Sequence, residues 1–100
     1  MAPVIELVVF KAKEGISKEQ MQAAAESITP ILAEMDGYAS REIAVTIDGQ
    51  WTDIVHWIDL ESAQKAAKSV MEIPVCLEFF KLIDEKQMTM FHLNLVASHS

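Results

Sequence analysis

Asp48-Gly49 sits between two runs of strand-forming residues, Tyr38 to Ile47 and Trp51 to Ile58. An Asp-Gly pair flanked by such runs is a strong short-range hairpin signal. This hairpin lies at the middle of the 100-residue chain, with a helical pattern and one further strand-like run on each side of it. The order is therefore strand, helix, hairpin, helix, strand. Few folds satisfy that order in a single domain.

Pro3 to Lys13 is rich in Val, Ile and Phe and reads as the first strand. Ser17, with Gln20 three residues on, forms a capping-box signature. It opens a helix whose apolar stripe is Met21, Ala24, Ala25, Ile28, Leu32 and Met35. Pro30 falls inside that stripe and predicts a kink or break near Thr29. Gly37 stands where a helix normally stops. After the hairpin, Asp59 is placed to cap a second helix with stripe Ala63, Ala66, Ala67 and Val70, ended by Pro74. Cys76, Phe79, Phe80 and Ile83 follow at helical spacing. Met88 to Ala97 alternates and reads as the last strand, and Ser98 to Ser100 as a loose tail.

The expected fold is α+β: a ferredoxin-like β-α-β-β-α-β domain spanning residues 1–100, with a four-stranded antiparallel sheet and both helices on one face. The helices are expected to cover Ile5, Leu7, Val9, Phe91, Leu93 and Leu95. The opposite face would carry Val4, Glu6, Val8, Phe10, Met88, Met90, His92 and Asn94. A patch of that size is seldom left in water, so a second copy is expected to cover it in an isologous homodimer.

Composition supports this and excludes other classes. Hydrophobic residues make up 51% of a chain too short to bury more than about two-thirds of its unfolded surface, so part of that load is expected at an interface or around a cavity. A net charge of -7 argues against nucleic acid and against anionic membranes. No apolar run is long enough to span a bilayer. MAPVIELVVFKAK has no basic region before its apolar run and reads as a strand rather than a leader. A lone Cys76 fits a cytoplasmic protein.

Three stretches together, VIELVVFKAKEG, DGQWTDIVHWIDLESA and MTMFHLNLV, carry a resemblance over about nine-tenths of the chain. In this order the sequence resembles the dimeric α+β barrel proteins, especially the antibiotic-biosynthesis-monooxygenase-like group. The resemblance implies paired sheets and a ligand cavity between sheet and helices or inside the barrel. It also implies a tryptophan in the cavity at a strand-to-helix position, which Trp57 matches. Haem-degrading relatives use an asparagine on the first strand and a histidine on a later helix. Here Glu6 and Val8 occupy the strand, and no histidine occurs between Asp59 and Met90, so no cofactor is expected.

The residues that suggest chemistry are few. Glu6 lies mid-strand among apolar neighbours and His92 shares its expected face, so either is a candidate catalytic base. The plain alternatives are a carboxylate paired with Arg41 or open to solvent, and a histidine satisfied within an interface. Asn94, Trp57, Met90 and Phe10 are candidate substrate-binding residues, as are Tyr38 and Arg41 if a bulge turns them inward. Trp57 is equally readable as core. His56 points away from Trp57 and is expected under the helices, and Cys76 is expected to pack. There is no HExxH or CxxC spacing and no Ser-His-Asp signature, and three glycines cannot build a phosphate cradle. These features give three readings: a cofactor-independent monooxygenase-like enzyme on a small apolar or aromatic substrate, a non-catalytic ligand-binding or structural homodimer, or an isomerase or lyase using the same acid–base pair.

Overall fold

A computed structural model describes residues 2–100. The strands β1 (Val4–Ala12), β2 (Tyr38–Val45), β3 (Gln50–Trp57) and β4 (Ile83–Asn94) form one antiparallel sheet in the order β2-β3-β1-β4. The helices α1 (Lys18–Ser27), α2 (Thr29–Ala33), α3 (Leu60–Ser69) and α4 (Pro74–Lys81) pack on one face of it. This is the expected ferredoxin-like arrangement.

The local signals act as their chemistry requires. Ser17 Oγ accepts from the Gln20 backbone N–H, and the Gln20 side chain accepts in return from the Ser17 N–H. Pro30 breaks the first helix into α1 and α2 at Ile28 and sits in the first turn of α2, where its missing N–H costs nothing. Asp59 Oδ1 accepts from the Ser62 N–H at 2.8 Å, and this bond holds the Asp59 carboxyl below its usual range. Pro74 ends α3 only indirectly: a 3₁₀ turn, Val70–Glu72, intervenes, and Pro74 opens α4.

The hairpin loop is longer than two residues. Gly49 has φ +90° while Asp48 keeps a negative φ, the Gly49 N–H donates to the Thr46 carbonyl, and the Thr46 N–H donates to the Gln50 carbonyl. A two-residue loop of the tightest kind needs positive φ at both centres. β4 begins at Ile83 rather than Met88, with the register against β1 shifting between Phe10 and Ala12. Alternation had hidden this start because residues 84–87 bulge out of the ladder, where Asp84 accepts from the Lys86 N–H and the Gln87 side chain.

The face assignment is reversed from expectation. The helices cover Val4 and Phe10 of β1 and Trp51, Asp53, Val55 and Trp57 of β3, all buried. Ile5, Leu7 and Val9, with Ile54 and His56, lie on the open face beside Phe91, Leu93 and Leu95, the last three 44%, 40% and 37% exposed. His56 is therefore not under the helices; its Nε2 lies 2.9 Å from Glu42 Oε1 on the open face. The cause is volume. Both faces of β1 are apolar, so alternation alone cannot rank them. Trp51 stands opposite Phe10, and Trp57 opposite Val4, so the two largest side chains of β3 draw that whole face inward.

Gly37 fixes where β2 leaves the helices. Its φ of +84° lies in the region that glycine tolerates, and a Cβ there would run into the Ser62 side chain. Gly37→Ala is expected to destabilise the fold by about 1–3 kcal/mol in urea unfolding. Adding Ser62→Ala should recover only part of that loss, because the backbone strain remains.

Candidate functional site

The register lays the helix-facing residues out as four cross-strand rows. From the far end they read Asn94–Val4–Trp57–Tyr38, His92–Glu6–Val55–Arg41, Met90–Val8–Asp53–Ile43 and Met88–Phe10–Trp51–Val45. Tyr38 and Arg41 share this face although three residues apart, because a bulge between Tyr38 and Ser40 resets the alternation.

Over the second, third and fourth rows the helices stand off the sheet and leave a cavity of about 290 Å³. Its floor is Glu6, Val8, Phe10, Asp53 and Val55. Its roof comes from the α1–α2 break (Ile28, Leu32), from the end of α3 and the turn after it (Ala67, Val70, Met71), and from α4 (Phe79, Phe80). On the β4 side Ile83, Glu85, Met88 and Met90 complete the wall. The helices do not reach over this strand, and Met88 and Met90 remain 43% and 50% exposed, so the cavity opens there. An apolar concavity with a few convergent polar groups has the character of a small-molecule site. The other two large depressions are surface clefts with charged rims, one bordered by Lys11, Lys13 and Lys18, the other by Glu34, Asp36 and Lys65.

Two polar pairs serve this cavity. Glu6 Oε2 lies 2.9 Å from His92 Nε2, with both side chains largely buried, at 16% and 23% exposure. They are direct cross-strand neighbours, so the pairing is built by register and needs no loop. An ionised Glu6 can only accept, which assigns the Nε2 proton to His92 and leaves Nδ1 as its basic nitrogen.

The second pair is Arg41 with Asp53. The guanidinium donates from Nε to Oδ1 at 2.9 Å and from Nη2 to Oδ2 at 2.6 Å, a two-pronged contact. Nη1 donates to the Ala25 carbonyl at 2.5 Å and to Thr29 Oγ1 at 2.9 Å. Helix α1 has no basic residue in its last turn, so Arg41 supplies from the sheet the positive charge its C-terminal carbonyls favour. Its side chain is 1% exposed.

Glu6, Phe10 and Met90 thus line the cavity, and His92 joins it through Glu6. Arg41 is not available to a ligand; it fixes Asp53, and it does not pair with Glu6. Tyr38, Trp57 and Asn94 form the row beyond the cavity and do not line it. Trp57 is core, edge-on to Tyr38 at 5.9 Å, yet its Nε1 is the one buried side-chain polar atom without a hydrogen-bond partner among the described residues. Cys76 is packing: burial pushes its thiol up, and the charge of Arg41 offsets this only in part. Among the described residues no group of three or more His, Cys, Asp or Glu is placed to hold a metal ion, and no helix is long and apolar enough to cross a membrane. Asp53 and Glu85 were not anticipated. Asp53 has a visible signal, a carboxylate alternating with two tryptophans; Glu85 has none, because it lies within the bulge of residues 84–87.

No family model matches this chain, and no curated protein sequence matches it. Solved structures do. A candidate antibiotic biosynthesis monooxygenase from Bordetella bronchiseptica superposes with a TM-score of 0.80 at 12% identity, over 97% of this chain and 100% of that one. Rv0793 from Mycobacterium tuberculosis gives 0.77 at 13% identity, over 99% and 100%. An asparagine-to-alanine variant of SnoaB, a cofactor-independent oxygenase from Streptomyces nogalater, gives 0.74 at 14% identity, over 100% and 97%. The resemblance read from the sequence therefore holds at the level of the fold, which by itself does not convey chemistry.

The Arg41–Asp53 pair makes a separable prediction. Arg41→Met leaves a buried carboxylate uncompensated and is expected to cost about 3–5 kcal/mol in urea unfolding. The double variant Arg41→Met/Asp53→Leu should recover most of it, since removing both charges removes the desolvation penalty.

Proposed function

We propose that this chain is a cofactor-independent monooxygenase-like enzyme that acts on a small apolar or aromatic substrate held between sheet and helices. The observation that carries the reading is Glu6, set into the wall of a largely apolar cavity and paired with His92 just outside it. The fold of SnoaB, a cofactor-independent oxygenase, supports it.

Glu6 touches the cavity and is the proton acceptor; His92, nearer solvent, donates its Nε2–H to the carboxylate and orients it. Removing a proton from an acidic ring C–H or O–H leaves a delocalised carbanion or phenolate that can reduce dioxygen. Where the carbon is a methylene, two electrons pairs' worth of oxidation converts CH₂ and O₂ into C=O and H₂O, through a hydroperoxide that loses water. The atoms balance without an external reductant. The surrounding Val8, Val55, Ile28 and Leu32 exclude water from the anion while it reacts.

The open face supports a homodimer. Ile5, Leu7, Val9, Ile54, Phe91, Leu93 and Leu95 run across three strands with nothing over them, a patch that one protomer can cover on another by a two-fold axis. The pairing surface is thus the face opposite the cavity, and each protomer keeps a cavity of its own. A cytoplasmic location fits the single buried thiol.

Glu6→Gln should lower turnover of an oxidisable phenol or methylene substrate by about 10²–10⁴-fold with the fold intact, and His92→Ala by less. Unchanged turnover in Glu6→Gln would sink this assignment; turnover indifferent to dioxygen would mark an isomerase or lyase instead. For the interface, Phe91→Glu is expected to convert a dimer into a folded monomer in sedimentation velocity, while a wild-type monomer would remove the proposed pairing.

A further inference from the structure

The lining of the cavity carries charge of one sign. Glu6, Asp53 and Glu85 are all present, and no lysine or arginine faces the space. The cation closest in function, Arg41, is spent: its guanidinium holds both Asp53 oxygens, the Ala25 carbonyl and Thr29, and is itself buried. Asp53 is therefore neutralised, while Glu6 has its partner in His92. Glu85 differs. It stands at the opening beside Met88 and Met90, and its side chain makes no hydrogen bond or ion pair among the described residues. Its neighbour Asp84 accepts from the Gln87 side chain and the Lys86 N–H, which hold that carboxyl below its usual range.

Size narrows the occupant further. An apolar cavity of about 150 Å³ holds one benzene ring, and 290 Å³ therefore suits one or two fused rings. Phe10 and Phe79 meet edge to face at 6.0 Å, with Phe80 tilted against Phe79 at 5.6 Å, which gives such a ring system an aromatic wall.

From this we infer that the cavity is charge-selective: it admits an uncharged one- or two-ring ligand, rejects the same rings bearing a carboxylate or phosphate, and owes the discrimination to Glu85 at its opening. The inference rests on the proposed reading of the cavity as the substrate site. An anion must pass Glu85 and settle near Glu6 with no cation to receive it, inside a protein of net charge -7. At low ionic strength that repulsion is worth about a tenfold loss of affinity, and salt screens the part due to the exposed Glu85.

The test compares 2-naphthol with 2-naphthoate by isothermal titration calorimetry, on the unaltered protein and on Glu85→Gln and Glu85→Lys. On the unaltered protein, 2-naphthol is expected to bind at least about tenfold more tightly than 2-naphthoate at low salt. Glu85→Gln should narrow the gap and Glu85→Lys should bring the two within about twofold, with an unchanged circular-dichroism melting profile reporting that each variant is folded. Equal affinities on the unaltered protein, or a ratio that Glu85→Lys does not move, overturn the inference. The expected ratio without dioxygen-dependent turnover retires the oxygenase reading alone. Turnover with equal binding of both ligands retires charge selection alone, and failure of both ligands to bind retires both.

Discussion

Trp51 and Trp57, with Phe10 opposite the first of them, require more buried volume than the rest of the sheet, and only the helix-covered face supplies it. Their placement determines everything else on that face. Because side chains alternate, drawing the tryptophans inward draws Asp53 and Val55 with them, and the ladder with β1 then carries Glu6 and Val8 to the same side. The ladder with β4 adds His92 and Met90. One packing demand thus places a carboxylate and an ion pair under the helices, with a histidine at the layer's solvent edge. The opposite face, with Leu7, Ile54 and Phe91, is left without helices to cover it.

A carboxylate in that layer must be satisfied, and the chain meets the requirement twice in different ways. Asp53 is closed off by Arg41, whose remaining donors reach the break between α1 and α2. That contact ties the roof of the cavity, through Ala25 and Thr29, to its floor. The helix break made by Pro30 is thereby held at a fixed height over the sheet, with Ile28 and Leu32 directed into the space. Glu6 is left with a titratable partner instead of a fixed cation. One pair closes a buried carboxylate off, and the other leaves a carboxylate facing the cavity.

Much of this was legible in the sequence, and the failures have physical causes. Caps, the helix break, the hairpin and the element order were readable because each rests on residues within a few positions of one another, such as Ser17 with Gln20 and Asp59 with Ser62. Glu6, His92, Phe10 and Met90 were correctly grouped on one face, because alternation along β1 and β4 is regular from Val4 to Phe10 and from Met88 to Asn94. Which face that was could not be read from β1, apolar on both sides; the answer lay on β3, where Trp51, Val55 and Trp57 contrast with Thr52 and His56. The partner of Arg41 depended on a bulge in β2, and the inward place of Glu85 on a bulge in β4. Bulges reset parity without any local sequence signal; Tyr38 and Asn94 share the helix-facing side but miss the cavity because it ends one row short of them, a limit set by the helices above.

We propose that the two faces have two occupants, a ligand under the helices and a second protomer on the open side. Methyl-labelled NMR spectra address it directly, because both faces carry Val, Leu and Ile reporters. A titration with 2-naphthol should shift Val8, Val55, Ile28 and Leu32 and leave Leu7, Ile54 and Leu93 in place. Dilution through the dimer dissociation range should do the reverse. Ligand shifts on Leu7, Ile54 and Leu93, or dilution shifts confined to Val8 and Val55, would contradict the assignment of the two faces.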